Sequence, residues 1–187
     1  MNVKRLLLFL LLVCSYDSLL GLPAQVIMIR HAEKSTEGTQ LNLKGQERTA
    51  AFVPYFLGDP EVLEFGTPIE IFAVKPSQEN GSTRCIETVT PLANRLQQTV
   101  TTTYEADQYA KLVAEIKQNP KYEGKMVLIC WEHKVLPDMA RAFGTITAPE
   151  KWLSDVYDRL WKITYNSEAT ITFEDHSQRL MYGDSHH

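Results

Sequence analysis

An arginine and a histidine stand side by side where an apolar run turns polar, in Val26-Ile27-Met28-Ile29-Arg30-His31-Ala32-Glu33-Lys34. Two more groups of the same chemistry follow later, Arg84 after a polar loop and His133 at the end of Ile129-Cys130-Trp131-Glu132-His133. Phosphate carries up to two negative charges and several acceptor oxygens. A guanidinium matches it with a planar fork of donors. Arg30, Arg84 and one imidazole can hold such a group, and a second, neutral imidazole can attack phosphorus. Neighbouring cations keep a ring nitrogen unprotonated. A carboxylic acid is still required to protonate the leaving oxygen. No step requires a metal or another cofactor, and the chain has no Cys-x-x-Cys pair or zinc-ligand spacing.

The elements that must position these groups alternate between strand and helix. Gln25 to Ile29, Ile69 to Val74 and Met126 to Trp131 are apolar runs of strand length. Leu43 to Leu57 reads as a helix with Ala50, Val53 and Leu57 on one face. Arg84 to Leu96 is helical, bent or broken at Pro91. Ala106 to Gln118 is helical, with Tyr109, Leu112, Val113 and Ile116 on one face, and Asn119-Pro120 ends it. Leu136 to Phe143 is a helix closed by Gly144. Leu160 to Tyr165 and Ala169 to Glu174 form a hairpin, and Gln178 to Tyr182 is a candidate further strand. Trp152, Tyr157 and Trp161 recur at near-helical spacing and read as core residues. The expected fold is α/β: a three-layer, mainly parallel sheet flanked by helices, with an antiparallel C-terminal edge hairpin. In such sheets ligands bind beyond the carboxyl ends of the strands. Arg30, His31, Arg84 and His133 all fall there.

The whole chain bounds the alternatives. Its 187 residues, 44% apolar and 22% charged, suit one globular domain over residues 25–187. A net charge of −4 argues against nucleic-acid binding. No run of eighteen apolar residues is present, so no membrane span is expected. Lys4 and Arg5 precede the apolar run Leu6 to Val13, the pattern of a secretory signal over residues 1–24. A secreted or periplasmic protein is therefore expected. Cys14 directly after that run also admits a lipid anchor, although Val13 is bulky for lipoprotein cleavage. Cys85 and Cys130 either pair or remain as buried thiols. His176, His186 and His187 near the C-terminus read as solvated. The sequence does not set the oligomeric state.

At these residues the chain resembles the histidine phosphatase superfamily, the phosphoglycerate mutase-like phosphatases. Arg30-His31-Ala32-Glu33 matches its Arg-His-(Gly/Ala) signature, and Leu41-Asn42-Leu43-Lys44-Gly45 its Leu-Thr-x-x-Gly element with Asn for Thr. Arg84-Cys85-Ile86-Glu87-Thr88-Val89 matches its second arginine motif, and His133 after an apolar strand its last element. The matches run in family order from Val26 to Gly144. The longer Lys75 to Thr83 loop and Glu132 before His133 depart from the pattern. The resemblance implies His31 as the nucleophile that forms a phosphohistidine, with Arg30 and Arg84 binding the phosphoryl group and His133 completing the pocket. It also implies a general acid twenty to thirty residues beyond Arg84. Glu105 is the first candidate, with Asp107, which could instead cap a helix, and Glu132 as alternatives. Glu33 is expected to hold the loop.

The expected activity is hydrolysis of a phosphomonoester on a phosphorylated small molecule or protein. The alternatives are a non-catalytic phospholigand-binding module and a protein phosphohistidine phosphatase.

Overall fold

The computed structural model describes residues 21–79, 81–166 and 170–185. Residues 1–20 of the leader expected over 1–24, Cys14 among them, lie outside these, as do Asn80, Ser167, Ala169, His186 and His187. Among the described residues, five strands form one open sheet in the order β2-β3-β1-β4-β5. They are β1 (Gln25–Arg30), β2 (Glu70–Ala73), β3 (Met126–Trp131), β4 (Arg159–Tyr165) and β5 (Ile171–Ser177). The first three are parallel, with Arg30 beside Trp131 and Ala73 beside Cys130. β4 runs antiparallel to β1, placing Met28 beside Trp161, and β5 runs antiparallel to β4 at the edge. Every residue of β1 and of β3 is buried. That is why these two read as continuous apolar runs rather than as alternating patterns. β5, at the edge, is largely exposed.

Among the described residues four α-helices flank the sheet: α1 (Leu43–Gly58), α2 (Arg84–Arg95), α3 (Tyr109–Gln118) and α4 (Leu136–Phe143). α1 packs against α2, and α3 against α4. The fold is thus the expected α/β sheet with an antiparallel C-terminal hairpin. No helix among the described residues is long and apolar enough to cross a membrane.

Some local expectations are corrected. The buried stripe of α1 is Gly45, Arg48, Thr49, Phe52 and Phe56, while Ala50 is exposed. The two phenylalanines bury far more apolar area than alanine or valine, so they set the face. Pro91 stands inside an unbroken α2. Glu105, not Asp107, caps the short 3-10 turn at Ala106–Gln108 that leads into α3. Residues 178–182 form no strand. Arg179 takes a positive φ of 50°, and the N–H groups of Leu180 and Met181 donate to the Asp184 carboxylate instead of a ladder. Trp152 and Tyr157 lie on an irregular segment before β4, not on a helix, and Tyr157 is only half-buried. Cys85 and Cys130 are free thiols, both buried.

Candidate active site

The carboxyl edge of the sheet collects the expected groups. β1 delivers Arg30 and His31, β3 delivers Glu132 and His133, and β4, running the other way, brings the 152–158 segment to the same edge. His31 is 8% exposed. Its Nδ1 lies 2.7 Å from the carbonyl of Ala32. A carbonyl only accepts, so Nδ1 carries the proton and donates, leaving a lone pair on Nε2. Burial first, then the charges of Arg30 and Arg84, hold the His31 pKa down to about 4, so the ring is neutral at pH 7. His133 is likewise pushed to about 4 by burial, Arg30, Lys134 and Lys34. An unprotonated nitrogen among fixed cations is the state that a phosphorus nucleophile needs.

Arg30 is 1% exposed. Among the described residues, all its hydrogen bonds leave from Nη1, to the carbonyls of Leu153 (3.2 Å), Ser154 (3.0 Å) and Val156 (2.9 Å). The Tyr157 ring covers its guanidinium, 4.0 Å from the carbon to the ring centre. Its Nε is buried with no hydrogen-bond partner among the described residues. Such an orphan donor requires an explanation. Nε and Nη2 form one edge of the guanidinium fork, the edge that takes an oxyanion bidentately. Arg84 is held from outside: its Nε donates to the Gln40 carbonyl (3.3 Å) and its Nη2 to that of Gly38 (2.6 Å). Its charge still reaches His31.

The loop after His31 is fixed from three sides. Thr88 of α2 accepts the Ala32 N–H at 2.9 Å and donates to the Arg84 carbonyl at 2.7 Å. Thus the arginine motif also anchors the histidine motif. Asn42 caps α1 by accepting from the Gly45 N–H at 2.8 Å, the role a threonine plays at such a position. Gly45 is required because a Cβ there would lie 2.2 Å from the Glu33 carbonyl oxygen. Finally, the Glu33 carboxylate forks onto Arg48 (Nε 3.0 Å, Nη2 2.7 Å), which also bonds Asp184 and Gln178. Burial raises the carboxyl pKa values of Glu33 and Asp184, but the Arg48 bonds outweigh it and lower both. Glu33 therefore holds the loop through a buried charge network.

The three candidate acids gather elsewhere on the edge. Glu105, Asp107 and Glu132 line one cavity of about 550 Å3 with Lys75, Ser77, Glu79 and Ser82. The Lys75 N–H donates to the Tyr104 carbonyl at 2.8 Å, and its ammonium pairs with Glu105 at 3.4 Å. The Trp131 indole donates to the Ala106 carbonyl, tying the Glu105 turn to the end of β3. This cavity sits over β2 and β3, beside the His31 position over β1. Arg30 and Arg84 act on His31, and Arg30, Lys134 and Lys34 on His133, each lowering the imidazole pKa. Among the described residues, no group of three or more His, Cys, Asp or Glu is placed to share a metal ion.

An open sheet with His31 after its first strand and His133 after the parallel strand beside it has the architecture of the histidine phosphatase fold. Solved structures bear out that part of the resemblance. An alpha-ribazole phosphatase from Shigella flexneri matches with a TM-score of 0.54 at 13% identity, over 84% of this chain and 98% of its own. The protein histidine phosphatase SixA, solved with tungstate, matches with a TM-score of 0.51 at 16% identity, over 82% of this chain and 97% of its own. No protein-family model and no curated protein matches the chain.

Proposed function

We propose that the protein is a phosphatase that hydrolyses phosphomonoesters through a phosphohistidine on His31. The observation that carries this reading is the unpartnered Nε of buried Arg30 beside an imidazole whose Nδ1 is already committed. The phosphoryl group docks on the Nε–Nη2 edge of Arg30, with the charges of Arg84 and His133 neutralising its remaining oxygens. The His31 Nε2 lone pair forms the N–P bond as the bond to the leaving oxygen breaks. Donors fixed before the reaction stabilise the charge of the transition state without reorganising. Glu105, at the wall of the adjoining cavity, protonates the leaving oxygen. Water then attacks the phosphohistidine, releasing phosphate and restoring the neutral ring. Residues 1–24 act as a secretory leader, which fractionation of the producing cells tests.

The test is turnover of p-nitrophenyl phosphate by the purified protein, with His31→Ala abolishing it and Glu105→Gln slowing alkyl phosphates most. Phosphate binding without turnover on a broad ester panel supports the non-catalytic module instead. A protein phosphohistidine substrate is the second reading. The cationic surroundings of both imidazoles favour it, because a phosphoamidate leaves with less help from an acid. Faster turnover of a phosphohistidine peptide than of any ester would select it.

A further inference from the structure

Arg30 is aimed by a segment that carries no phosphatase motif. A guanidinium on a strand end has four rotatable bonds, and a buried one without guides would take several orientations. Here three carbonyls, those of Leu153, Ser154 and Val156, all seize Nη1. The Tyr157 ring closes one face at 4.0 Å, and the same ring stands 5.9 Å from the His31 ring, tilted by 55°. The carbonyl of Val156 is itself fixed, because the Trp152 indole donates to it at 2.9 Å. Trp152 in turn stacks on Trp161 of β4, 4.7 Å between ring centres, and β4 is paired with β1. A closed circuit therefore runs from β1 through Arg30, the 152–157 segment and β4 back to β1.

We propose that Tyr157 is a positioning residue for the phosphoryl site. Its ring face and the Nη1 cradle beside it together turn the Nε–Nη2 edge of Arg30 toward the His31 ring. The phenol does no chemistry; the ring face does the work. Reading that edge as phosphate-binding rests on the phosphatase proposal, whereas the orientation of the guanidinium does not.

Two readouts separate them. The first is the Arg30 Nε–H resonance in the unliganded, 15N-labelled protein, assigned by its loss in Arg30→Ala. A ring face 4.0 Å away shifts that signal upfield. Tyr157→Leu is expected to remove the shift and Tyr157→Phe to restore it. The second is the affinity for tungstate, a tetrahedral oxyanion, and the turnover of p-nitrophenyl phosphate. Loss of a cation–π contact weakens tungstate binding in Tyr157→Leu by about 2- to 30-fold. Tyr157→Phe rescues it, and the effect disappears in the Arg30→Ala background, since Tyr157 acts through Arg30. Trp152→Phe keeps the packed ring but frees the Val156 carbonyl, and should move the Arg30 signal in the same direction by less. An unmoved Arg30 resonance in Tyr157→Leu overturns the proposal. So does a Tyr157→Phe defect as large as that of Tyr157→Leu, or a Tyr157→Leu effect that persists without Arg30. If the wild type neither binds tungstate nor turns over any phosphate, the phosphatase reading fails, and the resonance still decides whether Tyr157 aims Arg30.

Discussion

Thr88→Val removes one oxygen from the centre of the site while keeping the volume of the side chain. Thr88 and Ala32 are both wholly buried, so water cannot replace the lost partner. The Thr88 hydroxyl is bonded to the Ala32 N–H at 2.9 Å and to the Arg84 carbonyl at 2.7 Å. The carbonyl lies in a helix and keeps other options, but the N–H is left unsatisfied. An orphaned buried donor costs about 1–3 kcal/mol. With a urea slope of about 2 kcal/mol/M, a loss of about 2 kcal/mol lowers the unfolding midpoint by about 1 M. Thr88→Ser keeps the hydroxyl and forfeits only a buried methyl, about 0.8 kcal/mol. Activity should separate the pair more sharply. Ala32 also carries the carbonyl that fixes His31, and a shift of about 1 Å at a reacting group costs on the order of a hundredfold in rate. Urea unfolding and p-nitrophenyl phosphate turnover of both variants provide the assay. A valine variant within about 0.5 kcal/mol of wild type and fully active would refute the idea that Thr88 holds the histidine loop.

Stability should decline as the solution is acidified from about pH 6.5 to pH 4. His31 and His133 are held down to about 4 in the fold, against about 6.5 in the unfolded chain, so the unfolded state takes up protons first. Urea midpoints against pH should show that fall, and His31→Asn should flatten part of it. Below that window the lowered carboxyl pKa values of Glu33 and Asp184 prolong the loss, because their contribution is present above the unfolded carboxylate range and vanishes as they protonate. Arg48→Met strands two buried carboxylates and should cost about 3–5 kcal/mol at pH 7 by urea unfolding, with a smaller deficit near pH 4.5. Gly45→Ala drives a Cβ to 2.2 Å from the Glu33 oxygen. Overpacking of about 1–3 kcal/mol should outweigh the helix-propensity gain of about 1 kcal/mol, a net loss that thermal unfolding would report.

The strands and the Arg30, His31, Arg84 and His133 positions were legible because each depends on local pattern. β1 and β3 are unbroken apolar runs, and a polar group at the end of such a run has few places to go. Gly45 and Thr88 stand within the Leu41–Gly45 and Arg84–Val89 motifs, yet their work is done across the chain, on Glu33 and Ala32, and spacing alone does not show it. Arg48 had a local signal that was available: a charge on the same helical stripe as Phe52 and Phe56 must have a buried partner. Tyr157 had none. Its neighbours Asp155, Val156 and Asp158 carry no pattern, and its position is set by the antiparallel entry of β4 beside β1. The α1 face follows side-chain size as well as spacing, and Phe52 and Phe56 outweigh Ala50 and Val53. The general acid stayed open for a related reason, since Glu105 and Asp107 lie on an irregular turn whose placement depends on Trp131 and Lys75.

The Glu33–Arg48–Asp184 network joins the beginning of the sheet to residues near the other end of the chain, with Arg48 and Asp184 separated by 136 positions. During synthesis β1, α1 and even the His133 turn can form long before Asp184 exists. Until then buried Arg48 has Glu33 but lacks the Asp184 carboxylate and the Gln178 amide oxygen. The clasp behind the His31 loop therefore closes late, and a chain that stops short of Asp184 carries Arg30, His31, Arg84 and His133 without it. A clip between Ser177 and Asp184 would loosen that clasp at a distance, with Arg30, His31, Arg84 and His133 still in the chain.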